Sequence, residues 1–188
     1  MEEKRQGQSK LSNYERSKFI TRMIGEKGSL QNKLRQELYT TAFDRINKGL
    51  KTGNYYEVIC LSESVMADRI NALIQCLRSE EDDQWTQGSL LDFVRILNDE
   101  IRYGGWDRSG IWDEKNDLVL DEVKEWIKGR NRVVHGFVHV TLGDRGLDTE
   151  ARDRRTRVVA TQGEYLTKKV RTLCDKMTRD VWKELKQE

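Results

Sequence analysis

Not one of the 188 residues is proline. Proline costs about 3 kcal/mol in a helix interior and makes up about 5% of an average protein. A chain without it is compatible with long, uninterrupted helices, and the apolar residues recur where such helices need them. Charged residues make up 35% and the hydrophobic set 36%, so a core forms only if the apolar positions are well patterned. The length suits one domain.

Residues 1–11 are polar and charged and read as a mobile tail, with a single domain over residues 12–188. A short helix is expected from Asn13 or Tyr14 to Ile24, broken by Gly25 to Gly28. Ser29 is the expected N-cap of a second helix, with Leu30, Leu34, Leu38, Ala42, Ile46 and Leu50 at helical spacing and Gly53 as its stop. Tyr55 to Arg78 is the best core helix: Val58, Ile59, Val65, Met66, Ile70, Leu73, Ile74 and Leu77 form a broad apolar face. Ser62, Ala67 and Ala72 allow a close neighbour, while Glu63, Asp68 and Arg69 read either as ordinary surface charge, the favoured reading, or as residues of a site or interface. After an acidic loop, Ser89 caps a helix carrying Leu90, Leu91, Phe93, Val94, Leu97 and Ile101. The Tyr103 to Trp112 connection holds Trp106 and Trp112, rings that either pin the loop by burial or stack on bases, with packing the favoured reading.

Asn116 or Asp117 starts the next helix, with Leu118, Val119, Val123, Trp126 and Ile127 inside and Val133 and Val134 extending the stripe. Gly129 is a place for a kink and Gly136 for a stop. Phe137 to Leu142 then looks β-like, Thr156 to Ala160 is its expected partner, and an arginine-studded link from Arg145 to Arg157 joins them. Those arginines suit a solvated loop or a phosphate backbone. Thr161-Gln162-Gly163-Glu164 has the spacing of a capping box for a last helix carrying Leu166, Val170, Leu173, Cys174, Met177, Val181, Trp182 and Leu185. The expected fold is mainly α: a helical bundle with a small β-hairpin excursion, about residues 137–161, before the C-terminal helix.

Composition narrows the function classes. A net charge of +2 is too small for an indiscriminate polyanion binder, so any nucleic-acid contact has to come from a local patch. Cys60, Cys76 and Cys174 lie far apart without zinc-ligand spacing and read as reduced core cysteines, so neither metal nor cofactor is expected. No apolar run approaches a membrane span and no apolar leader core is present. A soluble cytoplasmic protein is the expectation.

One constellation carries chemistry: Gly129-Arg130-Asn131-Arg132-Val133-Val134-His135-Gly136. Arginine offers a planar fork of donors to a phosphate, and histidine can take and give a proton near neutrality. Together they suffice to cut a ribose–phosphate backbone without a metal. The plainer reading makes Arg130 and Arg132 solvated helix-end cations and His135 a satisfied side chain. In a regular helix residues five apart lie about 140° from one another, so Arg130 and His135 do not share a face of a single helix.

A helical bundle carrying Arg-Asn-x-x-x-His near the end of a core helix resembles the HEPN superfamily, whose nucleases pair an arginine and an adjacent polar residue with a histidine four to six residues on. The likeness covers about residues 55–78 and 118–188. It implies a metal-independent endoribonuclease of toxin, antiviral-defence or RNA-processing type, working as a homodimer with an antitoxin or defence-complex partner. Arg130 would hold the scissile phosphate, Asn131 would orient it, and His135 would act as general acid and base. The implied products are a 2′,3′-cyclic phosphate and a 5′-hydroxyl. Arg132 and His139 also satisfy the loose spacing and are candidate substrate-binding residues. The resemblance also allows a catalytically silent module that binds RNA, nucleotide or a partner protein. In toxins silenced by a nucleotidyltransferase antitoxin a tyrosine lies three residues after the histidine; here that position is Val138.

Overall fold

A computed structural model describes residues 26–78, 88–106, 110–138 and 149–187. These form five helices: α1 (Glu26–Thr52), α2 (Tyr55–Arg78), α3 (Leu90–Gly104), α4 (Glu114–Val138) and α5 (Thr149–Gln187). The polar tail, the helix expected over residues 13–24, and Trp85 lie outside the described residues.

Helix α2 is the centre of the bundle. All eight residues expected on its apolar face are buried, and all but Val65 join Ile46, the inner faces of α3, α4 and α5, and Trp112 in one core. Helix α5 lies against α2, and α4 lies against α5. Ser62 meets Gly163 and Arg69 pairs with Asp175, so α2 and α5 run parallel. Trp126 reaches Val159 and Glu122 pairs with Lys169, so α4 runs antiparallel to α5.

The ends are set by local chemistry. Gly53 has φ +77°, and the Asn54 N–H reaches back to the Gly49 carbonyl at 2.8 Å, closing α1 as a left-handed glycine stop does. A Cβ on Gly49 would stand 2.7 Å from Val58 Cγ2, so this glycine also lets α2 begin against α1. At α3 the Ser89 hydroxyl accepts from the Asp92 N–H, the Asp92 carboxylate accepts from the Ser89 N–H, and Gly105 closes the far end at φ +77°. Helix α4 starts at Glu114, two or three residues earlier than expected, because Asp113 caps it by accepting from the Asn116 N–H at 3.0 Å.

Several expectations are corrected. Among the described residues there is no strand. Thr156 to Ala160, the expected second strand of the hairpin, are helical and belong to α5, while Phe137 and Val138 end α4; residues 139–148 lie outside the described set. Thr161 and Glu164 do not form a capping box, since both lie inside α5, where the Thr161 hydroxyl donates to the Arg157 carbonyl at 2.9 Å. Ser29 likewise lies within α1 rather than capping it, because the helix begins at Glu26, and Gly28 is inside it. Leu34 and Leu38 are 58% and 62% exposed and Leu118 is exposed too, whereas Leu120, one turn before Val123 and outside the expected set, is fully buried. The expected stripes hold best where a helix has neighbours on both sides.

Candidate functional site

Helix α4 passes through Gly129 and Gly136 to Val138, neither breaking at the first glycine nor stopping at the second. Gly129 needs no kink: a Cβ there would touch only Val159 Cγ2, at 3.7 Å. The motif is therefore presented by regular helix, and the angle of about 140° between Arg130 and His135 stands. Asn131 and His135, four residues apart, share one face about 40° from each other, with Cβ atoms about 5–6 Å apart.

The Arg130 side chain bonds both to its neighbour Asn131 and to a second helix. Its Nη1 donates to the Asn131 carboxamide oxygen at 2.7 Å, and its Nη2 donates to Glu63 of α2. Arg130 and Glu63 are 27% and 23% exposed, so the pair is partly desolvated and screened less than a surface ion pair. Among the described residues the buried Arg130 Nε has no partner. An unsatisfied buried donor costs about 1–3 kcal/mol, which opposes keeping the guanidinium at this seam. The charge-assisted bond to Glu63 keeps it there.

Glu63 comes within reach because α2 and α4 both seat on α5 at Gly163. A Cβ on Gly163 would lie 2.9 Å from Trp126 Cζ2 and 3.2 Å from Ser62 Cβ, so only glycine lets the three helices meet there. The Trp126 indole N–H donates to the Val159 carbonyl at 2.8 Å, fixing α4 one turn before the motif. Ser62, beside Glu63, is fully buried, as a small residue at a close crossing should be.

His135 is solvent-exposed, as is Arg132. The structure thus brings Arg130 and Asn131 into contact, puts His135 on Asn131's face, and leaves Arg132 on the surface of the same helix; His139 lies outside the described residues. Sequence reasoning noticed Glu63 but favoured surface charge over a role at a site or interface. Its signal was a carboxylate among the apolar positions of α2, but its partner is 67 residues away in the chain.

The other charges of α2 also tie helices together rather than merely facing solvent. The Tyr39 hydroxyl donates to Asp68, and burial together with that carboxylate pushes the phenol's pKa up. The Arg69 guanidinium lies 5.2 Å from the Tyr39 ring centroid and pairs with Asp175 of α5. Trp112 is buried and its indole donates to Asp117 at 2.8 Å, so this ring packs as expected, and Trp106 is half-buried against the core. Of the arginine-studded segment, Arg145 lies outside the described residues, while Arg152, Arg154, Arg155 and Arg157 occupy the first turns of α5, with Arg154 paired to Glu150.

All three cysteines are free; Cys174 is buried and Cys76 partly so, but Cys60 is exposed, contrary to the core reading. Among the described residues no group of three or more His, Cys, Asp or Glu side chains could hold a metal ion, and no helix is long and apolar enough to cross a membrane. Compared with known protein families, curated proteins and solved structures, the chain matches none.

Proposed function

We propose that this chain is a metal-independent endoribonuclease of the HEPN type, acting as a homodimer. The observation that carries the reading is the bend of Arg130 onto Asn131, which lies one helical turn from an exposed His135. On this reading the Arg130 fork, held beside Asn131, and the imidazole serve one phosphate.

RNA cleavage on these groups is a transfer within the strand. The ribose 2′-oxygen attacks the adjacent phosphorus as an imidazole takes its proton, and the bond to the 5′-oxygen breaks as an imidazolium protonates it. The products are a 2′,3′-cyclic phosphate and a 5′-hydroxyl, and no oxidant or metal enters the balance. Each chain brings one His135, so a second copy supplies the other proton-transfer group. Arg130 steadies the charge that grows on the phosphate oxygens. Arg132, and His139 beyond the described residues, take flanking phosphates, and an antitoxin or defence-complex partner would act on this same surface.

A second reading has its own observation: Arg130 already has a carboxylate partner in Glu63. A neutralised arginine suits a catalytically silent module that binds RNA, nucleotide or a partner protein. The test is cleavage of mixed RNA in EDTA by wild type, Arg130→Ala and His135→Ala. The nuclease reading expects cleavage that survives chelation, stops on 2′-O-methyl RNA, and falls by about 100-fold or more in each variant. His135 is exposed, so its variant stays folded. Cleavage of equal strength in all three proteins, or a His135→Ala variant with full biological effect, overturns it.

A further inference from the structure

We infer that Glu63 is a positioning residue that holds the Arg130 guanidinium where a phosphate can use it; this rests on the nuclease reading above. Asn131 cannot hold it alone. It is the next residue on the same helix, so its bond ties the guanidinium to α4 and leaves α4 and α2 unlinked. Glu63 comes from α2 and fixes the second nitrogen, so the two bonds set both the place and the plane of the fork.

The buried Nε explains why a holder is needed. With no partner for that N–H among the described residues, a free Arg130 side chain gains by swinging into water, where all its donors are hydrated. The Glu63 carboxylate opposes that swing. It takes Nη2 and leaves each of Nη1 and Nη2 a further N–H, because each carries two. Two neighbouring donors are what a phosphate accepts side by side. In this arrangement Glu63 touches no substrate and acts only through Arg130.

The experiment measures kcat and KM on an oligoribonucleotide in EDTA, with thermal unfolding recorded for each protein. Glu63→Ala is expected to lower kcat/KM by about 10- to 100-fold, mostly through kcat, since the loss lies in the orientation of a group that acts in the transition state. Glu63→Gln, whose amide oxygen can accept the same bond, recovers most of that loss. Glu63→Asp keeps the charge, draws the carboxylate back by one methylene, and behaves like Glu63→Ala while staying folded. In an Arg130→Ala background, Glu63→Ala has no further effect. Wild-type activity in Glu63→Ala, or losses that multiply in the double variant, overturns the inference while leaving the nuclease reading intact. A wild type that cleaves no RNA overturns both.

Discussion

Gly129 and Gly163 are both helix-interior glycines, and a methyl group added to each meets a different neighbour. At Gly129 the added carbon finds Val159 Cγ2 at 3.7 Å, an ordinary contact. Gly129→Ala should therefore stabilise the protein by about 0.5–1 kcal/mol through helix propensity. At Gly163 it would come within 2.9 Å of the Trp126 ring and 3.2 Å of Ser62 Cβ. Overpacking there costs about 1–3 kcal/mol and outweighs the same propensity gain, so Gly163→Ala should lower stability. Chemical denaturation of the two variants checks both signs, and a common sign would contradict the packing described. At this scale the sequence made Arg130, Asn131 and His135 legible as chemistry, because arginine, amide and imidazole are rare enough in one short stretch to be noticed. It could not make the partner of Glu63 legible. That pairing becomes visible only once folding carries α2 and α4 onto a third helix.

The hairpin shows what misleads at the scale of an element. Thr156 to Ala160 holds branched residues, which favour strands, yet branching costs a helix only a few tenths of a kcal/mol. Buried Thr156, Val159, Ala160, Gly163, Leu166, Thr167 and Val170 are spaced three and four apart, a helical period running through the supposed strand. Gly163 and the flanking Thr161 and Glu164 concealed it by imitating a helix start. Ser89, by contrast, was legible as a cap, since the hydroxyl and a carboxylate three residues on sit just before an apolar run. There the Ser89 hydroxyl and backbone N–H hold the Asp92 carboxyl below the usual carboxylate range. A lowered folded value means the stabilisation is present above about pH 4 and is lost as pH falls through that lowered value. Ser89→Ala should accordingly be less stable than wild type at neutral pH, with the gap narrowing in acid; acid titrations followed by circular dichroism measure it. A gap that stays constant into acid would sever the cap from the carboxylate.

For the molecule as a whole, the thiols report on closure of the core. Burial pushes Cys76 up to about 11 and Cys174 up to about 12, while Cys60 is exposed. One thiol per chain, Cys60, should react with a maleimide at neutral pH, and the other two only as the protein opens; mass spectrometry of labelled peptides identifies them. Raised folded values also set a sign. The contribution of Cys76 and Cys174 is intact below the free-thiol value of about 8.5 and is lost as pH rises from there through about 11–12. Thermal midpoints recorded upward from pH 8 should fall, and less steeply in Cys174→Ala relative to its own neutral value. The seating of α2 and α4 on one long α5 reaches further still. Helix α5 has 39 residues and spans about 58 Å, so it serves both motif-bearing helices as a common ruler. The gap between the carboxylate on one and the guanidinium on the other is set by a third party that contributes no group to either. Inner-face substitutions along that ruler can detune the Glu63–Arg130 span from a distance, and a survey confined to charged side chains near the imidazole would overlook them.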